Sequence, residues 1–271
     1  MLGFRRKRVA VVLGAGPAGL LAAHAAERRG MEVNVFTAPD GEGGPKKSEL
    51  HGCQYLHAHI PGVESLNWHG QYVQYQIEGG VEQYRRKVYG EAWNGTVSPD
   101  EFGPEGGHLA WDLRKLYDEL WERWLPRIIP MEVTPTLAQK IADVRGQLTF
   151  STIPARSLCL RPGEHHFLTQ DVWAMGTRSD RTPDLPYLAP NMTVLCNGND
   201  APRWYRAATV FGHSTLEWPD GPKPPISGVA RVQKPLGTDC NCHRWYRLGR
   251  YGRWAKGVLV HEAYFEALVL R

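Results

Sequence analysis

Cysteine is sparse in this chain and unsuited to a disulfide framework. The 271 residues hold five cysteines, at Cys53, Cys159, Cys196, Cys240 and Cys242, an odd and scattered set. Cys240, Cys242 and His243 form a C-x-C-H cluster. It lacks both a fourth ligand nearby and the usual C-x-x-C spacing, so the sequence alone assigns no metal. Long apolar runs are also missing. Nothing reaches the ~18 residues of a membrane span, so no membrane partner is expected and the chain reads as cytoplasmic. The basic opening MLGFRRKR imitates a signal peptide, but the apolar run behind it is broken by GAGPAG, and that reading is rejected. A strong charge of either sign is absent too. The net charge of +4 permits an anionic ligand without requiring a nucleic acid. No internal repeat is visible. What the chain does have is aromatic surface, with ten tryptophans and eleven tyrosines suited to a core or to flat ring-shaped ligands.

The most informative stretch is residues 8–37, RVAVVLGAGPAGLLAAHAAERRGMEVNVFT. A β-branched run precedes Gly14, Gly16 and Gly19 in G-x-G-x-x-G spacing, an Ala/Leu-rich helix follows, and Glu32 to Thr37 alternates as a second strand. This is the context the motif needs, strand then glycine turn then helix. Gly14 allows the tight turn, Gly16 lets backbone approach a pyrophosphate, and Gly19 lets helix pack on strand. Pro17 and Ala18 open the helix, whose N-terminus offers free N–H groups to phosphates. The acidic residue expected at the end of the second strand is replaced by Thr37, with Asp40 the nearest carboxylate. A hydroxyl holds a ribose more weakly than a carboxylate, unless Asp40 reaches back.

Further on, QYVQYQI at 71–77 predicts an antiparallel strand, and 81–89 a short helix. Residues 90–108 read as an irregular excursion. WDLRKLYDELWERW at 111–124 is an amphipathic helix. Strands are expected at 127–133, 147–153, 192–196 and near 229–232, and a helix at 137–144. Residues 162–190 are expected to be loops around one strand, and 254–270 a single closing helix. Parallel-type strands alternate with helices only in parts of the chain, which favours two discontinuous domains.

Four segments together resemble the FAD-binding flavoprotein superfamily that includes amine oxidases, phytoene-desaturase-like enzymes and UDP-galactopyranose mutase. The first is GAGPAG. The second is Gly43-Gly44 with Lys47 and Ser48, followed by HGCQYLH at 51–57; the resemblance implies that the former lies over the FAD pyrophosphate. It also places Gln54, Tyr55 and His57 near the isoalloxazine. The third is LTFSTIP at 148–154, similar to a strand beside the adenosine end. The fourth is GRYGRW at 249–254 with Gly257 and Val258, similar to a late glycine motif whose helix touches the flavin through Gly249, Arg250 and Trp254. The resemblance implies an α/β fold: a Rossmann-like FAD-binding domain (1–62, 109–157 and 244–271). A small, mainly antiparallel β substrate domain (63–108 and 158–243) is inserted in it.

In such enzymes the flavin does the redox work and side chains orient substrate. His57, as a neutral imidazole, could bond the flavin or accept a substrate proton, or could be a packed loop residue. Trp204-Tyr205-Arg206 resembles a strand facing the flavin, making Tyr205 and Arg206 catalytic candidates. Arg206 would grip a carboxylate or phosphate, or form a surface salt bridge. Arg244, Arg247, Arg250 and Arg253 alternate with Trp245, Tyr246, Tyr251 and Trp254; they suit a nucleotide or DNA surface, or serve the cofactor and solvent. The expected function is FAD-dependent oxidation or cleavage of a C–N or C–O bond in an anionic or nucleotide-like substrate. Compact relatives in bacteriophages, acting in the host cytoplasm, extend the resemblance to a lyase on amino-acid-modified thymine in DNA. Two alternatives stand beside it: a non-redox mutase on a nucleotide sugar, and a non-catalytic nucleotide- or DNA-binding protein with a decayed flavin site.

Overall fold

The computed structural model describes residues 8–66, 68–90, 106–175 and 189–270. The expected irregular excursion at 90–108 and the middle of the 162–190 stretch fall mostly outside these. The chain opens with β1 (Val9–Leu13), α1 (Pro17–Arg28) and β2 (Glu32–Thr37). Pro17 stands at the first turn of α1, where its missing N–H costs nothing. Gly30, at φ +75°, closes the helix by donating to Glu27 while Met31 donates to Ala26, the Schellman pattern. From Gly19 to Ala26 every residue of α1 is buried, so this stretch is enclosed on all sides.

Next come β3 (Gln71–Glu78), α2 (Val81–Tyr89), β4 (Gly107–Ala110) and α3 (Leu113–Trp124). Asp112 caps α3, accepting from Arg114 and Lys115 at 2.9 and 3.2 Å. Leu113, Leu116, Tyr117, Leu120, Trp121 and Trp124 form its buried stripe at helical spacing. The chain continues through β5 (Ile128–Pro130), α4 (Pro135–Ala142), β6 (Gln147–Ser151) and a 3-10 turn at Ala155–Leu158. Then follow β7 (Phe167–Met175), β8 (Thr193–Asn197), β9 (Arg206–Val210), β10 (His213–Pro219) and β11 (Val229–Thr238). β12 (Tyr246–Arg247), α5 (Gly249–Arg253) and α6 (Glu262–Val269) complete the order.

Two sheets result. The first is parallel, in the order β12-β6-β1-β2-β5, with β1 and β2 in register from Val9 opposite Glu32 to Leu13 opposite Phe36. Helices α1, α3 and α6 cover it, sharing one core that includes Leu20, Leu116, Trp124 and Tyr264. The second runs β11-β7-β10-β9-β8-β3-β4 and is antiparallel except where β3 meets β8. Among the described residues the second sheet has seven strands and the first has five.

Two expectations are corrected. The closing helix is not single: Trp254 at φ +54° ends α5 after five residues, Gly257 at φ +81° turns the chain, and α6 starts only at Glu262. The stretch 218–236 carries a ten-residue strand, β11, rather than a short one. Its long partner β7 and a bulge around Pro235 let the proline sit in the sheet. Among the described residues no helix is long and apolar enough to cross a membrane.

Candidate functional site

The four segments singled out in the sequence meet at the carboxyl end of the parallel sheet, and their glycines make the meeting possible. Gly14, at φ +102°, donates to Phe36 at 2.8 Å, turning the chain after β1. A side chain on Gly19 would place its Cβ 1.8 Å from the Gly14 carbonyl oxygen, so only glycine lets α1 lie this close to β1. Thr152, from the third segment, bonds the Leu13 and Gly14 carbonyls at 3.4 and 3.3 Å. From the fourth segment, Gly249 lies where a Cβ would stand 2.7 Å from the Ala18 methyl, and Gly252 where one would meet the Ser151 oxygen at 2.4 Å.

Gly16 is different. A Cβ there would meet only Ser48 Oγ, at 3.6 Å, so the space above it is open. No side chain caps α1 at Gly16, which leaves its first-turn N–H groups facing that space. Tyr117 of α3 ties the rim together. Its hydroxyl donates to Ala15 C=O and accepts from Ser48 N–H, both at 3.0 Å. Lys47 is exposed and pairs with Asp118 at 2.8 Å. Gly43 and Gly44 form a turn organised by Asp40, whose carboxylate accepts from Glu42 and Gly44 N–H at 2.9 and 2.8 Å. Asp40 is thus committed to its own loop. Thr37 is buried, its hydroxyl reaching the Lys46 carbonyl at 3.4 Å.

A second constellation lies on the second sheet, where β9, β10 and β11 meet the 51–57 loop. Glu217 on β10 is buried and accepts from Arg206 at 2.5 and 2.6 Å, from Tyr205 at 2.5 Å, from Lys234, and from Cys53 N–H at 3.2 Å. The two cations hold its carboxyl far below the ordinary carboxylate range against the opposing effect of burial. Burial pushes Lys234 down to about 8, although Glu217 works in the other direction. The carboxylate that Arg206 grips is therefore internal, not a substrate's, and the pair is no surface bridge. Tyr205 is fully buried as a partner of the same carboxylate. Glu217 also packs on Gly52, where a Cβ would stand 2.6 Å from its Oε1, so it orders the 51–57 loop.

His57 sits in a half-buried aromatic stack, 4.7 Å from Tyr55, with His108 at 5.1 Å and His261 at 6.1 Å. Burial first, then these two histidines, lowers its pKa to about 4, so the ring is neutral. Tyr55 shares a 2.7 Å hydrogen bond with Tyr75, and Gln54 is exposed, bonding His51 C=O at 2.8 Å. The imidazole that lines the open cleft is His51 instead. This cleft, about 550 Å³, runs between Pro154–Ser157, β11 and α5, with Arg156, Arg231, Tyr251 and Trp254 on its walls.

The four regularly spaced arginines divide. Arg244 pairs with Asp143 at 3.5 Å and Arg253 with Glu266 at 2.5 Å, whereas Arg247 and Arg250 each keep a buried nitrogen without an acceptor. Arg250 also bonds the Pro235 carbonyl at 3.3 Å. Gly257 is exposed and Val258 half-buried, beyond the end of α5. Glu217, Lys234 and Tyr117 were not among the sequence candidates. Tyr117 was visible only as part of an amphipathic stripe, and nothing in linear spacing links Glu217 to Lys234.

No family profile and no characterised protein matches the chain by sequence. Among solved structures it is similar to a reduced UDP-galactopyranose mutase, with a TM-score of 0.54 and 13% identity over 97% of this chain and 92% of that one. It is similar to CtdE in complex with FAD and a substrate, at TM-score 0.51 and 11% identity, covering 97% and 79% of the two chains. A third is a variant of HpxO from Klebsiella pneumoniae complexed with FAD, at TM-score 0.52 and 13% identity, covering 97% and 80%. Identities this low speak for fold. The fold is that of the FAD-binding flavoproteins, a Rossmann-type parallel sheet with a mixed second sheet.

Proposed function

We propose that the protein is a FAD-dependent enzyme that oxidises or cleaves a C–N bond in an anionic, ring-bearing substrate. The observation that carries the cofactor is the cradle itself: three glycines, of which Gly14 and Gly19 are filled by the protein and Gly16 alone opens onto free space at an uncapped helix N-terminus. The donor set fits, because buried nitrogens of Arg247 and Arg250 await an acceptor near the same end of the sheet. Bound FAD would supply the two-electron chemistry of the reaction. The protein's own part is recognition. Arg156 and Arg231 give the cleft a cationic lining, His51 adds an imidazole, and Tyr251 and Trp254 give it ring surface for stacking. Arg231 is already shared with Asp171 and Asp220, at 2.8 and 3.2 Å, which leaves Arg156 the freer anion ligand.

The test begins with absorbance. Purified protein is expected to show flavin bands, and Gly16→Val to lose them while keeping its melting temperature as apoprotein. A colourless wild type that cannot be loaded with FAD would sink the reading. Loaded enzyme is then mixed anaerobically with amines and with thymine nucleotides bearing an amino acid. Flavin bleaching with release of an amine supports C–N chemistry. The similarity to the mutase favours one second reading, a non-redox rearrangement of a nucleotide sugar. It predicts activity only after prior reduction, and with no net electron uptake.

A further inference from the structure

Cys240 and Cys242 were short of ligands in the sequence, and the fold brings two more. Cys159 ends the 3-10 turn after β6, and His165 lies just ahead of β7. The Sγ atoms of Cys159, Cys240 and Cys242 form a triangle with sides of 3.4, 3.6 and 3.7 Å, and His165 Nδ1 lies 3.3 Å from Cys159 Sγ. All four ligand atoms fall within 4.8 Å of one another. A tetrahedral zinc with ordinary bond lengths spaces sulfurs about 3.8 Å apart and sulfur from nitrogen about 3.6 Å apart. A disulfide would bring two sulfurs to about 2.05 Å, and no pair approaches that. The backbone N–H of Leu160 donates to Cys242 Sγ at 3.3 Å, the kind of supporting bond that orients a metal thiolate. Cys159 and Cys240 are buried.

We propose that Cys159, His165, Cys240 and Cys242 form a structural Zn²⁺ site that pins the two sheets together. The placement gives the reason. Cys159 and His165 bracket the crossing from β6 out to β7, and Cys240 with Cys242 sit on the return from β11 to β12. Four bonds to one ion fasten both crossings at a single point, fixing the angle at which the second sheet overhangs the cleft. Binding converts three thiols to thiolates and releases their protons, while His165 ligates as the neutral ring. Four protein ligands leave no open position, so the site is structural rather than catalytic. His243 lies 3.7 Å from Cys240 Sγ but packs edge-on against Trp245 and is no member of the set.

Metal analysis of desalted protein grown with zinc should find one zinc per chain. In the wild type, exchange for Co²⁺ should give thiolate-to-cobalt charge-transfer bands and the intense visible bands of a tetrahedral ion, a readout independent of flavin. Cys240→Ser and His165→Ala should lower zinc content at least tenfold, and His243→Ala should leave it unchanged. Substoichiometric zinc, an octahedral cobalt spectrum, or a disulfide mapped between any two of the three cysteines would overturn the site. So would zinc retained in Cys240→Ser. Loss in His243→Ala with retention in His165→Ala would overturn the ligand set.

Discussion

Replacing Glu217 by glutamine removes one negative charge and almost no volume from the buried cluster on the second sheet. Its carboxylate is buried, and it answers two cations, Arg206 and Lys234, together with the Tyr205 hydroxyl and the Cys53 amide. In Glu217→Gln the two cations remain next to each other with no counter-charge, and an amide NH₂ faces a guanidinium. Breaking a buried ion pair from one side costs about 3–5 kcal/mol, most of it from the stranded partner. With a urea slope of about 3 kcal/mol per molar, the unfolding midpoint should fall by about 1–1.7 M. Tryptophan fluorescence follows this directly, given ten tryptophans. Because Glu217 also holds Gly52 and Cys53 in place, FAD loading should weaken alongside stability. Adding Arg206→Met and Lys234→Met with Glu217→Leu should recover much of the loss, since no charge is then stranded. A midpoint shift below about 0.3 M for Glu217→Gln, near 1 kcal/mol on the same slope, would refute the account.

Gly19→Ala should abolish the compact fold or the cradle, because its Cβ would overlap the Gly14 oxygen at 1.8 Å; a variant with native melting and full FAD content would contradict this. Tyr117→Phe removes both hydrogen bonds that join Ala15 to Ser48, and should cost about 1–2 kcal/mol and weaken FAD binding, read by denaturation and flavin titration. His24, His57 and His261 are kept neutral chiefly by burial, with His57 near 4. The unfolded chain protonates them first, near pH 6.5, so stability should fall as pH drops from about 6.5 toward 4. Denaturation midpoints across that range check it, and His57→Gln should flatten the slope.

The first βαβ unit was readable because its cues are local: a β-branched run, three glycines at fixed spacing, and a helix stopped by Gly30. The glycine turns of the other segments were readable for the same reason, since each carries its own turn chemistry. What escaped depends on register between distant strands. Glu217 meets Lys234 across the intervening strand β7, and Cys159 meets Cys242 across 83 residues. The split of the closing helix hinged on one residue, Trp254, whose left-handed backbone no propensity announces. Arg206 was expected to grip a substrate's carboxylate or phosphate, whereas in the fold it is bonded to Glu217, eleven residues away on the next strand.

The packing of Gly249 on Ala18 and of Gly252 on Ser151 has a consequence for how the molecule comes into being. The cradle's walls are contributed by residues far apart along the chain. A nascent chain emerged as far as Arg244 already owns the glycine turn, yet lacks β12, the edge strand beside β6, and the α6 helix that buries Tyr264 against α1. The cradle therefore closes only when β12, α5 and α6 pack onto the first βαβ unit, which makes its completion a long-range step of folding rather than a property of the glycine turn alone.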